Sequence, residues 1–402
     1  MRRPWRITPV AVAALVLLGA CGTGGTAATP IEEPTPAGTS DTGEPAETQA
    51  AAATDCGTEA FGGEAIPIDF QLQWVPQAQF AGYFAAKDLG FYDDVGLDVT
   101  LLDGGPDIAP QQVVAAADGP ELGEAWVPKV QVANEQGADL VNIAQVFQRS
   151  GTVEASWADS GIDSPEDWAG KRVGAWGFGN EFEVVAAARQ AGLEPGVDFE
   201  QVTQDFNMNP LLNREIDAAE AMTYNELAQV LEAENPETGE LYTMEDLSII
   251  DFNEVGTAML QDHVIARESW LAEETNGIPN EQIATCFLRA SFQGWIHCRD
   301  NPQECVDIVL NQGTILGESH QQWQMNEINA LIWPSPDGIG ILDEELWQQT
   351  IDISVEFNII SEEPPDSASR TDLAEAALEG IEGDVIGADF EKGVVELRPG
   401  GE

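Results

Sequence analysis

The feature that most limits what this chain can fold into is a repeated switch of hydrophobic period that begins at Ile66. IPIDFQLQW (66–74) alternates apolar and polar residues as a strand does, and AGYFAAKDLGFY, just beyond it, spaces its apolar residues as a helix does. LDVTLLDGG (97–105) reads as strand again, IAPQQVVAAADG as helix, LGEAW as a short strand, VPKVQVANEQG as helix and ADLVNIAQVFQ (138–148) as strand. The pattern restarts in DSPEDWAGKRVGAWGFGNEFEVVAAARQAG (163–192): Asp163 or Ser164 as cap, a short helix, a strand, a glycine turn and a long helix. IDAAEAMTYNELAQVLEA (216–233) repeats it once more. Such alternation predicts mostly parallel sheets covered by helices. Beyond about residue 267 the chain turns helical, through NEQIATCFLRASFQGWIHC, NPQECVDIVLNQ, SHQQWQMNEINALIW and DEELWQQTIDISVEF. The expected fold class is therefore α/β with two lobes and a cleft between them: residues 66–158 and 260–402 as the first lobe, 159–259 as the second.

Ahead of Ile66 the sequence has a different character. MRRPWR is a basic start, ITPVAVAALVLL is an apolar run too short to span a bilayer, and LGAC ends at Cys21 after small residues. Leu18-Gly19-Ala20-Cys21 resembles a bacterial lipoprotein signal, with Cys21 the lipidated residue; the alternative is a plain secretory signal in which Cys21 is incidental. Residues 22–65, rich in Gly, Thr, Pro, Ala and Glu, are expected to form a disordered tether, because they carry too little apolar surface to fold. The expected location is the outer face of the cytoplasmic membrane, held by lipid. Export permits disulfides. Cys298 and Cys305 flank a turn-like RDNPQE and are the first pair expected; Cys56 with Cys286 is then possible, although spacing alone does not fix connectivity.

The formal net charge of −55 is spread along the chain and argues against nucleic acid and anionic membrane surfaces as partners. It suits a solvated surface in high salt, where screening makes self-repulsion tolerable. No C-x-x-C occurs and His263, His297 and His320 lack ligand spacing, so no metal site is expected. Serines lack a G-x-S-x-G setting and no Cys–His pair suggests a nucleophile, so no catalytic residue is assigned.

In open α/β sheets ligands settle beyond the carboxyl ends of the strands. That rule selects WVPQAQFAGYF (74–84), where Trp74 and Tyr83 supply flat rings and Gln77 and Gln79 supply amides. It also selects Trp126 after LGEA, Gln148 after the 138–148 strand, and Trp176. In GFGNEFE, Asn180 and Glu181 stand at a helix start whose free N–H groups suit a polar ligand group, or they simply cap the helix. In MTYNELAQ, Tyr224 and Glu226 sit at another strand-to-helix junction, where a carboxylate suits a ring nitrogen or an exocyclic amine. Rings that stack and amides that read a hydrogen-bonding edge together favour a flat heterocycle. The other tryptophans lie within or beside helical runs and are assigned to packing.

QWVPQAQFAGYFAAKDLGFYDDVGLDVTLLDGG resembles the opening of bacterial solute-binding proteins in the superfamily that contains thiamine-pyrimidine synthases and pyrimidine, riboflavin and sulfonate binders. The likeness continues through GNEFE, DAAEAMTYNELAQV, FLRASFQGW and NEINALIWPSPDGIG. It implies the type II periplasmic-binding fold, a hinge of two chain crossings, and a monomer that delivers riboflavin or a thiamine-precursor pyrimidine to an ABC permease and ATPase. The synthases of the superfamily consume pyridoxal phosphate and carry a cofactor lysine, a histidine and a run of cysteines. Here Glu124 stands at the lysine position, Pro128 at the histidine position, and the cysteine run is absent, so the resemblance implies a binder without cofactor rather than an enzyme. A synthase-like enzyme and a sensor with a permanently closed cleft are the competing readings.

Overall fold

The computed structural model describes residues 55–402. Its strands β1 (Ile66–Gln71), β2 (Leu97–Leu102), β3 (Leu122–Ala125), β4 (Leu140–Gln145), β5 (Thr152–Trp157), β6 (Arg172–Ala175), β7 (Glu200–Thr203), β8 (Ala218–Met222), β9 (Leu247–Asp251) and β10 (His263–Arg267) build two five-stranded sheets. The first runs β2-β1-β3-β10-β4 and the second β7-β6-β8-β5-β9. The chain thus leaves the first sheet after Gln145, enters the second at Thr152, and returns between Asp251 and His263. The sequence reading leaves β5 in the first lobe; it pairs instead with β8 and β9. The first crossing therefore precedes residue 158.

Each sheet is mostly parallel, as expected, with one strand of five reversed. β1 runs parallel to β2 and β3, but β10 runs antiparallel to both β3 and β4. In the second sheet β6 runs parallel to β7 and β8, and β5 antiparallel to β8 and β9. β5 and β10 each enter their sheet from the other one, so they arrive in the reverse direction. Both are buried along their whole length. Strands covered on both faces show no alternation, which hides them from a period-2 search.

The helix Asn280–Asp300 packs along the helix Ala81–Asp88 at close range, because Gly82 and Gly294 leave no side chain between them. A Cβ at Gly82 would meet the ring of Trp295, and one at Gly294 would fall 2.0 Å from the Gly82 carbonyl oxygen. This contact fixes the rotation of the helix Ala81–Asp88 and turns Tyr83 inward, 4.6 Å from Phe70 and 5.6 Å from Trp295 between ring centroids.

Residues 55–65, counted with the tether from sequence, are packed: Phe61 is buried, and the Gly57 amide donates to Val95 O at 2.9 Å. Cys56 forms a disulfide with Cys286, and Cys298 with Cys305. The signal segment, Cys21 and residues 22–54 lie outside the described residues. Among the described residues no helix is long and apolar enough to cross a membrane.

The two disulfides should differ in worth. Cys56–Cys286 joins residues 230 apart and Cys298–Cys305 residues 7 apart. Loop-closure entropy makes the long cross-link worth about 5 kcal/mol and the short one about 2. The double serine variant of the long pair should therefore lose roughly twice the denaturant stability of the short-pair variant. Equal losses would mean that local packing, rather than the unfolded chain, sets the effect.

Candidate ligand-binding site

A cavity of about 320 Å³ opens between the two sheets at the carboxyl ends of β1, β3, β6 and β8. Eight of the eleven sequence-selected residues line it: Trp74, Gln77, Gln79, Trp126, Trp176, Asn180, Tyr224 and Glu226. They come from both sides of the cleft, and each follows the end of a strand, where the chain turns toward the next helix. Gln73, Lys129, Phe178, Phe206 and Asn225 line it as well, with the loop 105–111 that follows β2.

Three selected residues stand elsewhere. Tyr83 is core, turned inward by the Gly82–Gly294 contact. Gln148 lies in the first crossing, where its Nε2 donates to Gln145 O at 2.7 Å and Ile341 O at 3.2 Å. Glu181 accepts the Gly179 amide at 2.8 Å, so it shapes the glycine turn rather than the cavity wall. Trp168, Trp295 and Trp333, assigned to packing, are fully buried.

The aromatic wall is continuous across the cleft. Phe206 meets Trp74 edge-on at 4.6 Å and stacks beside Trp176 at 5.8 Å. Trp176 is held from behind: its amide donates to Glu220 Oε2 at 2.6 Å. Burial pushes the Glu220 carboxyl well above its usual range. Phe178 has a left-handed backbone (φ 64°) and is almost wholly exposed at the rim.

Lys129 reaches this space from the helix Val127–Glu135. Its Nζ lies 4.4 Å from the Trp126 ring centroid and donates to Asn180 Oδ1 at 2.5 Å, joining the two sides of the cleft. Burial lowers this amine to about 8, the nearby carboxylates of Asp262, Glu181 and Glu220 acting against the shift. Pro128 lies in the first helical turn, where a missing N–H costs nothing. Among the described residues Glu124 is buried without a hydrogen-bond partner, and burial keeps its carboxyl well above the usual range.

The polar wall has an organiser that no local pattern in the sequence marks. Asp262, on the returning crossing just before β10, is fully buried. Its carboxylate accepts from Gln79 Nε2 and Trp126 Nε1, both at 2.6 Å, and from Gln73 Nε2 at 3.4 Å. One carboxylate thus orients three cavity side chains. Burial pushes it up to about 6, with the bonds from Gln79 and Trp126 opposing. Glu226 Oε2 accepts the Met222 amide at 3.1 Å and Oε1 accepts Asn225 Nδ2 at 2.8 Å, while burial raises it to about 7. The arrangement offers stacked rings, fixed amides and two carboxylates. The three histidines sit apart, and His263 is kept neutral by burial, which lowers it to about 3.

Known proteins agree with this architecture. The family profile described as NMT1/THI5 like matches residues 77–305. The formylaminopyrimidine-binding protein of Halalkalibacterium halodurans is 23% identical over 292 residues, spanning 71% of this chain and 83% of that protein. The riboflavin-binding protein RibY of Chloroflexus aurantiacus is 24% identical over 301 residues, spanning 70% of this chain and 78% of its own. Among solved structures, the periplasmic aliphatic sulphonate binding protein SsuA of Escherichia coli superposes with a TM-score of 0.52 at 16% identity, covering 75% of this chain and 89% of that one. That superposition supports the fold alone, and the fold is the two-lobed type II periplasmic-binding arrangement. With more than half of its length matched by the profile, the chain belongs to the NMT1/THI5-like family.

Proposed function

We propose that this protein is the solute-binding component of an ABC importer, and that it captures a flat heterocycle, riboflavin or a thiamine-precursor pyrimidine, by closing its lobes. The observation that carries the reading is the composition of the cavity wall: Trp74, Trp126, Trp176 and Phe206 offer faces for stacking, while Gln77, Gln79 and Glu226 offer a hydrogen-bonding edge. Both sides of the cleft contribute, so a ligand touching both favours the closed state, which is the signal a permease can read. The two crossings between the sheets serve as the hinge. The volume lies at the small end of the range for small-molecule sites, roughly 300–1,000 Å³, and suits a compact ring system. Relatives named for binding formylaminopyrimidine and riboflavin support the same ligand class and a binder rather than an enzyme. The reading includes export, a lipid anchor at Cys21, a monomeric state, and a permease with its ATPase as partners.

A thermal-shift screen of the mature protein at high salt tests it, against riboflavin, thiamine pyrimidines, pyridoxal phosphate and taurine. Riboflavin or a pyrimidine should raise Tm by several degrees, as binding to the folded state alone requires. A shift with pyridoxal phosphate alone, or with taurine alone, would sink the reading.

A further inference from the structure

Behind the cavity, amide side chains form a branched chain of hydrogen bonds with a single direction. It starts at Gln324, on the helix Glu318–Ile332, which is fully buried and does not line the cavity. Gln324 Nε2 donates to Gln77 Oε1 at 3.1 Å; Gln77 Nε2 donates to Gln79 Oε1 at 2.7 Å; Gln79 Nε2 donates to Asp262 Oδ2 at 2.6 Å. On the other side Gln324 Nε2 donates to Asn225 Oδ1 at 3.3 Å, and Asn225 Nδ2 donates to Glu226 Oε1 at 2.8 Å. His320 Nε2 lies 2.9 Å from the same Asn225 oxygen. Both branches end on a carboxylate, which in its ionised form only accepts.

We propose that Gln324 is a specificity-determining positioning residue: by giving one N–H to Gln77 and the other to Asn225, it fixes which way the cavity amides on both sides of the cleft face a ligand. A primary amide has two donors and two acceptor sites, and turning it over exchanges them. Within the chain each of Gln77 and Gln79 has used one N–H and one lone pair. Each therefore presents the remaining donor and acceptor in fixed places, a pattern that discriminates between ring edges. Without the Gln324 donor, the Gln77 carbonyl loses its partner and the amide can turn over. The discrimination then weakens even though no ligand-contacting atom has been removed. A site that hydrogen-bonds a ligand edge rejects the wrong edge because its own groups would be left unpaired.

This inference rests on the heterocycle reading above, and the test separates the two. The probes are riboflavin, whose imide edge reads acceptor–donor–acceptor, and a 4-aminopyrimidine, whose edge reads donor–acceptor. Gln324→Leu should shrink the ratio of their dissociation constants about tenfold. Gln321→Leu is the comparison, because Gln321 Oε1 also accepts the Ala78 amide (2.7 Å, beside 3.1 Å for Gln324) yet gives nothing to Gln77 or Asn225. It should leave the ratio unchanged. Adding Gln324→Leu to Gln77→Leu should shrink the ratio by less than it does in the wild type, because one of its two branches runs through Gln77 and the other through Asn225. In ligand-free protein, the side-chain amide NMR signals of Gln77, Gln79 and Asn225 should move in Gln324→Leu and stay in Gln321→Leu. An unchanged ratio, or unmoved signals, overturns the inference. Failure of the wild type to bind either probe sinks the heterocycle reading itself, and the NMR comparison then decides the amide chain separately.

Discussion

Replacing Trp74 with alanine should weaken binding of the proposed heterocycle roughly 100-fold, about 3 kcal/mol, while the ligand-free protein keeps its melting temperature to within about 2 °C. The two effects separate because Trp74 is half-buried at the cavity wall, and its principal ring contact is Phe206 across the cleft. The alanine variant therefore removes a stacking face without opening a hole in the core. Tyr83 gives the opposite outcome. It sits 4.6 Å from Phe70 and beside Trp295, with no exposed surface. Truncating a ring of this kind leaves a cavity worth about 3–5 kcal/mol of stability. Tyr83→Ala should thus melt early and, where still folded, bind nearly as well as the wild type. Calorimetry on both variants with the ligand found in the screen checks this. Early melting of Trp74→Ala, or unaffected affinity, would show that Trp74 belongs to the core and that the cavity is not the binding site.

Trp74 and Tyr83 also mark the limit of what the sequence discloses. The ends of β1, β3, β6 and β8 are legible because each strand is followed by a recognisable turn and helix start, so the rings and amides just beyond them fall on one edge. Tyr83 is one helical turn further on. Its direction depends on how the helix Ala81–Asp88 is rotated against Asn280–Asp300, a contact set by two glycines far apart in the chain. Asp262 and Gln324 were hidden for a related reason. Asp262 works on Gln79 and Trp126 only because the returning crossing passes beneath them, and Gln324 lies 247 residues from Gln77. Phe206 follows β7, a short strand without clear alternation. Local pattern places side chains at strand ends; the groups that orient them come from wherever the fold returns.

Acidification from pH 7.5 to 5 should stabilise the folded protein, by on the order of 5 kcal/mol, and raise its melting temperature by roughly 10 °C. Asp262 is held up at about 6, and Glu183 and Glu226 at about 7, in each case chiefly by burial. Glu124, Glu154 and Glu220 are raised by the same cause. A carboxyl raised in the folded state holds a proton that the unfolded chain releases. Stability therefore increases as pH falls from the folded value toward the ordinary carboxylate value near 4, and the gain is complete below it. The lowered carboxyls Glu135, Asp167, Asp217, Asp372 and Asp384 act in the opposite sense, but only as pH drops below the ordinary range. The maximum should accordingly fall between about pH 4 and 5. Affinity should move the other way, because a protonated Asp262 or Glu226 gives up acceptor capacity at the end of an amide chain and turns donor toward its neighbours. Glu226→Gln should keep the fold, lose its share of the pH-dependent stability and bind more weakly, because the amide has one acceptor oxygen where the carboxylate accepts at two. A melting temperature that is flat or falls from pH 7.5 to 5 would mean that these carboxylates are paired in solution, and the acceptor ends assigned to the amide chain would have to be reassigned.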